Sequence, residues 1–424
     1  MTMKVMGLIK SEGSNEKKRI LVVSQHFWPE SFRINDICDS FVEQGYDVEV
    51  LCGIPNYPKG QFFDGYGLFK NKRQTINGIK VRRCFEIKRG KNTSIRIFLN
   101  YISFPFFSIF SLPYLFRQKY DKIFLFQTSP VMMSLAGVLL GKIKKIETTM
   151  YVLDLWPENL YSVLKIRNGL LRKLAYWSST WYYRNTDKLI ANSQKLMGIL
   201  KERTKKEDSH IAFIPQFCEK IYEATIENEE LNKRFSNTFN LVYAGNISPA
   251  QSFETVMEAA SLLKVQGYNN IAWIIVGDGM SRKWLESEVQ QKELGDRFTF
   301  IGHVPIEEIP KYTSIADGLF ACLTKTDLLD ATIPAKVFSY YAAGRPLVLA
   351  MDGEIQQIVQ ESGAGYIVDS GDAVGLADTV AKLYNTNKDE RYKMGENAQE
   401  YYFKHFERNL NMEKLIGFIF DEQK

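Results

Sequence analysis

The sequence predicts an α/β protein with two Rossmann-like, doubly wound parallel-sheet domains that face each other across a cleft. Short apolar strands alternate with amphipathic helices over residues 20–51, which is the pattern of a βαβ unit and hence of a parallel sheet. The same alternation starts again at Leu241, and a charged stretch without strand character, residues 219–237, separates the two series. A chain of 424 residues is also too long for one ordinary core.

Hydrophobic spacing places the individual elements. The first half has a strand from Ile20, a helix with apolar residues at 34, 37, 38 and 41, a cap at Gly45, and strands at 48–51, 122–126, 149–153 and 188–191. The second half has strands at 241–244, 271–276, 298–301, 318–323 and 346–349, with a helix from Phe253. We therefore expect domains at residues 1–215 and 216–400, a helix at 401–424, and a polar leader at 1–18.

The composition excludes several classes of protein. Hydrophobic residues at 45% and charged residues at 24% are typical of globular proteins and argue against disordered or fibrous chains. The net charge of +5 is too small to indicate nucleic acid, but it is compatible with a phosphorylated ligand or an anionic surface. Five isolated cysteines and four histidines without metal-ligand spacing predict no disulfide framework, no zinc site and a reducing compartment. The N-terminal residues contain no apolar run of signal-peptide length.

Two loops of the first half lie where ligands of open α/β sheets usually bind. The loop 24–35 joins the first strand to the first helix and supplies a candidate acceptor-binding set: Gln25, Phe27, Trp28, Glu30, Arg33 and Asn35. It has no GxGxxG motif, and packing of its aromatic side chains on the domain surface is an equally good interpretation. Asp154 follows a buried strand and is a catalytic candidate, although it could instead begin a helix ahead of Pro157.

The loops of the second half are rich in glycine. Gly245 would allow a ligand to approach the backbone closely, and Asn246 and Gln251 could bond phosphate oxygens. The alternative interpretation is turn chemistry for the glycine and helix capping for Ser252. Gly277 closes the next strand and is a further candidate for donor binding.

The stretch 332–344 is the most informative part of the sequence. Pro334 is a good first helical residue and Gly344 a good cap, so Lys336 lies in the first turn of a helix. A cation at that position opposes the helix dipole, whereas a bound anion such as pyrophosphate would explain it. Ser339 follows three residues later on the same face. The alternative is a solvated lysine.

Residues 97–116 contain no charged side chain and are rich in phenylalanine, with basic residues on both sides. The length matches a membrane span of about 20 residues, but two prolines and a position between predicted strands argue against a simple span. Contact with a membrane surface or lipid substrate, and a simple buried helix, are equally good interpretations. The chain also has no Asp-x-Asp, so we expect no metal and a phosphate group neutralised by lysine and helix dipoles.

Taken together, the motifs resemble glycosyltransferase family 4, in particular its WbuB-like members of surface-polysaccharide synthesis. The matching pieces run in family order over nearly the whole chain, at residues 25–35, 55–58, 154–158, 191–193, 244–246 with Gln251, 277–279 and 333–346. The resemblance implies a GT-B fold, a nucleoside-diphosphate sugar donor, retention of anomeric configuration and no metal cofactor. It also implies a C-terminal helix that crosses back to the first domain.

The resemblance assigns further residues to donor binding. The family's basic pair corresponds to the neutral Asn246 and Gln251, which leaves Lys336 to supply the positive charge. The family's two glutamates correspond to Ala331 and Ser339. The loop with His303 and Val304 resembles the nucleobase-contact loop, and Asp154 lies where many members place a sugar-binding histidine. The predicted donor set is therefore Gly245, Asn246, Gln251, Gly277, His303, Val304, Pro334, Ala335, Lys336 and Ser339.

The predicted function is that of a retaining, metal-independent glycosyltransferase. It would move an N-acetylated or deoxy hexose from a UDP-linked donor to a polyprenyl-diphosphate-linked glycan in capsule, O-antigen or exopolysaccharide synthesis. We expect it in the cytoplasm, bound peripherally to the inner face of a bacterial plasma membrane, with no nucleic-acid partner. Two alternatives stay open. A nucleotide-sugar epimerase would need acid–base residues in the cleft, and a non-catalytic glycan- or lipid-binding subunit would be consistent with the missing glutamates.

Overall fold

The computed structural model describes residues 17–91, 93–158, 168–224, 226–326 and 329–421. Most of the predicted leader, residues 1–16, lies outside this part of the chain. The described residues form two largely parallel sheets, one with strand order β3-β4-β2-β1-β5-β6-β7-β8 and one with order β11-β10-β9-β12-β13-β14. The two-sheet α/β architecture predicted from the sequence is confirmed. The boundaries proposed at residues 215 and 400 stay predictions.

The strands are short and mostly apolar, as expected for parallel sheets that are covered on both faces. The first sheet contains β1 (Arg19–Val23), β2 (Asp47–Cys52), β3 (Arg73–Ile76), β4 (Ile79–Arg83), β5 (Lys122–Gln127), β6 (Thr148–Val152), β7 (Lys188–Ala191) and β8 (Ile211–Phe213). The second sheet contains β9 (Phe239–Ala244), β10 (Ile271–Val276), β11 (Phe298–Gly302), β12 (Gly318–Cys322), β13 (Leu347–Ala350) and β14 (Gly365–Val368).

Helices cover both faces of the two sheets. In the described part of the chain the α-helices are Arg33–Glu43, Ser94–Ser108, Leu112–Phe116, Leu135–Lys144, Gly169–Asn185, Gln194–Thr204, Glu229–Arg234, Phe253–Val265, Arg282–Gln291, Ile309–Ser314, Ala335–Ala342, Glu354–Ser362, Ala373–Asn385, Lys388–His405 and Arg408–Phe420. Short 3-10 helices occur at Ile109–Ser111, Val131–Ser134, Asp208–His210, Lys220–Glu223, Pro249–Gln251, Ile306–Glu308 and Leu329–Ala331. All five cysteines are buried and free, as expected.

Every predicted strand is present within one or two residues, and the structure adds others. The main addition is the antiparallel hairpin β3–β4, which pairs Gln74 with Val81 across a turn at Asn77 and Gly78. Both turn residues have positive φ, as a tight hairpin turn requires.

In the second half, Pro334 is the N-cap residue with extended dihedrals rather than the first helical residue, and the helix begins at Ala335.

The two sheets each have a switch point that bears on ligand binding. In the first sheet, β1 pairs with β2 on one side and with β5 on the other. In the second sheet, β9 pairs with β10 and β12 in the same way. Ligands of open parallel sheets bind beyond the carboxyl ends of strands at such points. The loops after β1 and β9 are therefore the places to look for a site.

The last helix, Arg408–Phe420, packs on the first sheet although the chain reaches it from the second. Its apolar side chains, Met412, Leu415, Ile416, Ile419 and Phe420, belong to the same core cluster as Ile20 and Val22 of β1. Arg408 binds Asp36 through two contacts of its Nε, at 3.0 and 2.8 Å, and also donates to Ser40. Beyond its C-terminus, Asp421 lies against Lys122 and Lys188. The helix thereby joins the two halves of the chain.

The apolar segment predicted as either a surface or a core element forms a helix, a 3-10 turn and a second helix, Ser94–Phe116. Within the described chain, Ile95–Phe116 is one candidate membrane span by length and composition, with a third of it buried. Phe104 and Leu115 are fully buried, whereas Phe98, Phe106 and Phe110 are exposed. The segment is therefore neither a simple buried helix nor a polar surface helix.

Replacement of Arg408 by methionine is expected to weaken the attachment of the last helix. The change removes charge-assisted hydrogen bonds to Asp36 from a largely buried guanidinium, worth about 1–3 kcal/mol. Amide hydrogen exchange in Arg408–Phe420 should accelerate by about tenfold or more. Lys393→Met removes an exposed ion pair with Glu396 and is the matched control, expected to leave exchange unchanged. Equal exchange in both variants would contradict the role given to Arg408.

Candidate functional site

The loops after β9, β10 and β11 lie side by side at the carboxyl end of the second sheet. Gly245 N–H donates to Val276, Ile247 N–H to Asp278, and Gly277 N–H to Gly302. A Cβ atom on Gly277 would lie 1.9 Å from the Gly245 carbonyl oxygen, so only glycine permits this approach. The glycines predicted for donor binding are thus brought together and expose backbone rather than side chains.

Lys336 reaches into this group of loops from the first turn of the helix Ala335–Ala342. Its ammonium lies 2.6 Å from the Tyr243 hydroxyl and 4.0 Å from the centre of the Tyr243 ring, and it also binds Gln251 Oε1. A Cβ on Gly245 would be 3.0 Å from Lys336 Nζ. Lys336, Gly245 and Gln251, each predicted as a site residue, are therefore in contact.

No carboxylate among the described residues lies within ion-pair distance of Lys336. Removal of the ammonium from water lowers the pKa of Lys336 to about 7, and the buried Cys322 thiol opposes this shift. The partners of the ammonium are a neutral hydroxyl and an amide oxygen. A half-buried cation held by neutral groups is suited to receive an anion.

Tyr243 and Tyr340 hold this arrangement in place, and neither was singled out from the sequence. The Tyr243 hydroxyl donates to the Asn246 carbonyl at 2.7 Å and bonds Gln251 Oε1 at 3.1 Å while it accepts from Lys336. The Tyr340 hydroxyl accepts from the Ala244 N–H at 2.8 Å, one helical turn after Lys336. A tyrosine inside an apolar strand pattern gives no signal of such a role.

The other residues predicted for donor binding surround this contact. Pro334 and Ala335 form the start of the helix, where free backbone N–H groups point outward. Ser339 is buried on the same helix. His303 is exposed and Val304 half-buried just after β11, two strands away from β9. These residues thus lie in the loop after β11 and in the helix Ala335–Ala342, whereas the contacts of Lys336 are with Tyr243, Gln251 and Gly245.

In the first domain, the loop after β1 is organised by the buried Glu30. Its Oε1 accepts from the backbone N–H groups of Asn56 and Tyr57, each at 2.6 Å, and its Oε2 bonds His26 Nδ1 at 2.8 Å. Asn35 ties the two ends of the loop, because its side chain accepts from Trp28 N and donates to Glu30 O. Glu30 and Asn35 therefore shape the loop.

The remaining residues of this predicted set have different surroundings. Gln25 is buried and donates to Glu86 and Asn100. Trp28 is exposed at the loop tip. Phe27 corrects our prediction, because its side chain is buried in the core beneath the loop and does not line the cleft. An apolar ring is more stable packed in the core than exposed in an open cleft.

A buried polar cluster lies beside this loop and was not predicted from the sequence. Glu86 is fully buried and bonds Gln25 and Asn56, and burial together with the neighbouring Glu30 raises the pKa of Glu86 well above its usual value. Arg89 reaches Asn100 Oδ1 at 3.2 Å and His26 Nε2 at 3.4 Å, between the rings of Tyr57 and Tyr101. The only signal was a basic run that we related to the apolar segment.

Asp154 lies beyond β6 and is half-buried. Its carboxylate accepts from Ser129 Oγ at 2.9 Å, and desolvation raises the pKa of Asp154 despite this hydrogen bond. Trp156 Nε1 donates to the same serine at 2.9 Å, and Tyr101 packs on the Trp156 ring. The helix that Asp154 could have capped would continue into residues 159–167, which lie outside the described residues.

The two domains touch through Ser193, Arg33 and Glu354, of which the first two lie in predicted motifs. Ser193 Oγ donates to the Ala331 carbonyl, and Arg33 Nη2 lies 3.4 Å from the Ala335 carbonyl. Glu354 Oε2 accepts from Gln194 N–H at 2.6 Å and Lys195 N–H at 3.3 Å, at the start of a first-domain helix. These contacts join loops and helix starts of the two domains. In the described part of the chain no group of three or more metal-ligating side chains is clustered, and metal independence stays a prediction.

Comparison with known proteins relates this chain to glycosyltransferases. Residues 225–401 match the model of the glycosyl transferases group 1 family. WcaI of Escherichia coli K12, named for glycosyl transfer in colanic acid biosynthesis, is 24% identical over 79% of this chain and 83% of its own length. WbjE of Pseudomonas aeruginosa, named as a glycosyltransferase, is 26% identical over 71% of this chain and 76% of its own.

Among solved structures, HepE of Anabaena in complex with UDP superposes with a TM-score of 0.68 at 14% identity, covering 96% of this chain and 100% of HepE. This likeness confirms the fold, and the relatives confirm the family resemblance predicted from the motifs. They favour sugar transfer over the epimerase alternative. The chain is therefore a glycosyltransferase of GT-B fold, and its residues 225–401 match the model of the group 1 glycosyl transferases.

Proposed function

We propose that this enzyme transfers a sugar, an N-acetylated or deoxy hexose, from a UDP-sugar to a polyprenyl-diphosphate-linked glycan, with retention and without a metal ion. The observation that carries the proposal is the ammonium of Lys336, enclosed beside Gly245 by Tyr243 and Gln251 with no carboxylate of the described residues in reach. A diphosphate at the adjacent helix N-terminus would supply the missing negative charge. The UDP complex of HepE, a protein of the same fold, supports the choice of nucleotide.

The proposed reaction uses the charge of Lys336 on the leaving group. The bond between the anomeric carbon and the diphosphate oxygen breaks, and the acceptor oxygen forms its bond on the same face of the sugar. The acceptor proton passes to the released diphosphate. Negative charge grows on the diphosphate as the bond breaks, so Lys336 and the helix N–H groups stabilise the transition state more than the ground state.

Asp154 is the proposed contact of the first domain with the transferred sugar or acceptor. It follows β6 at the carboxyl end of the strand, where ligands of open parallel sheets bind. The raised pKa of Asp154 increases its share of the neutral acid, which can donate as well as accept a hydrogen bond to a sugar hydroxyl. Its orientation is fixed by Ser129, which is itself held by Trp156.

The surface of the first domain supports a lipid-linked acceptor. Exposed apolar residues follow helical spacing along one stripe: Ile95, Phe98, Leu99, Ile102, Phe106, Ile109 and Phe110. A second exposed set lies on the helix Gly169–Asn185: Leu170, Leu171, Leu174, Tyr176 and Trp177. Both elements pack against residues 131–144, so the two sets belong to one side of the domain. We name their sum the apolar face.

Exposed basic residues lie in the same segments as the apolar face or next to them in the chain: Lys91, Arg96, Arg117, Lys119, Lys142, Lys145, Arg172 and Lys173. An apolar surface bordered by basic side chains fits the interface of a membrane with anionic lipids. We therefore propose peripheral attachment at the cytoplasmic face of the plasma membrane, where a polyprenyl acceptor is embedded. The names of WcaI and related colanic acid enzymes support a role in surface-polysaccharide synthesis.

Lys336→Met is expected to reduce kcat/KM for transfer from the donor by about a hundredfold, because it removes the cation that meets the diphosphate. The measurement is sugar transfer in the presence of a chelator, together with calorimetric titration of UDP. Lys264→Met, on a helix of the same domain and partly exposed, is the control and should behave as the wild type. Transfer by Lys336→Met at wild-type rates would remove the proposed role, and loss of transfer on chelation would remove metal independence.

Phe110→Glu and Trp177→Glu are each expected to lower binding to phosphatidylglycerol-containing vesicles by at least about tenfold, since each replaces an inserted aromatic side chain by a charge. Vesicle sedimentation is the measurement. Val265→Glu changes a side chain of similar exposure, 88% against 69% for Phe110 and 67% for Trp177, in the second domain and serves as the control. If all three variants bind as the wild type does, the apolar face is not the membrane contact.

A further inference from the structure

A donor diphosphate carries more negative charge than Lys336 alone can balance. Asn246 and Gln251, the amide side chains of the loop after β9, are neutral. Arg282, the next cation along these loops, is already paired with Asp278 at 3.7 Å and Glu286 at 2.8 Å. A second positive charge must therefore come from another part of the chain if the developing charge is to be neutralised without a metal.

Arg33 is a cation whose surroundings point to such a role. It is the first residue of the helix Arg33–Glu43 in the first domain, and its guanidinium extends across the cleft to the Ala335 carbonyl, 3.4 Å away. The side chain is only 12% exposed. Its Nε and Nη1 atoms are buried and have no hydrogen-bond partner among the described residues.

The existing contacts of Arg33 do not account for its position. Its ion pair with Glu219 is long, at 3.5 Å, and the glutamate is partly exposed, so the pair contributes little. The contact with Ala335 is also long for a hydrogen bond. Buried N–H groups without acceptors are costly, and a guanidinium carries five donors arranged for bidentate binding of a phosphate. The free donors of Arg33 thus match an oxyanion.

We propose that Arg33 is the second cation of the donor site and binds the diphosphate from the opposite domain. This role rests on the proposed nucleoside-diphosphate donor. Arg33 contacts the first residue of the helix Ala335–Ala342 and Lys336 is its second residue, so a diphosphate bound at that N-terminus would meet one cation from each domain. The donor then bridges the domains, and its binding stabilises the closed cleft in which the acceptor meets it.

The sequence places Arg33 in the predicted acceptor set, whereas the role proposed here is in the donor site. The two assignments differ in whether replacement of Arg33 changes the affinity for UDP. Calorimetric titration of the full-length protein with UDP and with uridine separates the diphosphate from the base. Arg33→Met should lower the affinity for UDP by about tenfold or more and leave the affinity for uridine unchanged, because only the phosphate contact is lost. Arg33→Lys, which retains the charge but not the fork, should restore part of the affinity. Glu219→Gln removes the competing carboxylate and should not weaken UDP.

Several outcomes would overturn the role. If Arg33→Met weakens UDP and uridine equally, Arg33 supports the fold of the cleft and not the phosphate. If Arg33→Met binds UDP as tightly as the wild type does while Lys336→Met does not, the donor site at Lys336 is supported. In that case the proposal that Arg33 binds the diphosphate is wrong. If the wild type binds neither UDP nor any other nucleoside diphosphate, the proposed function fails and this role fails with it.

Discussion

The ammonium of Lys336 is the group on which the account of this enzyme depends. It lies in the first turn of a helix, where the dipole disfavours a cation, and it is enclosed by a tyrosine ring, an amide oxygen and glycine backbone. Burial of a charge without a counter-charge is costly, and its effect here is a pKa of Lys336 lowered to about 7. Such a cost persists in a structure where a ligand compensates for it.

The rest of the second domain is arranged around this group. Gly245 keeps the space next to the ammonium free of a side chain, and Gly277 allows its loop to approach the Gly245 backbone. Tyr340 fixes the helix to the end of β9. The site lies at the switch point of the second sheet and faces the corresponding loop of the first, where Glu30 and Asn35 hold the backbone in shape. The last helix returns to the first domain and holds the two halves together. The contacts of Arg33 and Ser193 with the second domain bring loops of the two domains together.

Much of this could be predicted from the sequence, for physical reasons that also explain the failures. Fully apolar strands between amphipathic helices leave few folds other than paired parallel sheets, and Lys336 was identified because it conflicts with the helix dipole. Asn77-Gly78 was an available hairpin signal that we did not use. Phe27 was misplaced because an aromatic residue in a loop can pack inward or outward. Local spacing does not encode tertiary packing. It therefore could not predict that Tyr243 contacts Lys336, that Glu86 contacts Gln25, or that Arg33 reaches Ala335 in the other domain.

The central claim is that an uncompensated Lys336 binds the donor diphosphate, and the pH dependence of donor affinity tests it most directly. A UDP-sugar does not titrate between about pH 6 and 9, whereas Lys336, with a pKa of about 7, is charged below this pKa and must take up a proton to bind the anion above it. Calorimetry in buffers of different ionisation enthalpy should show affinity that is constant at low pH and falls by up to about tenfold per pH unit above 7, with uptake of close to one proton. Both effects should be absent in Lys336→Met. Affinity independent of pH over this range, without proton uptake, would contradict the claim.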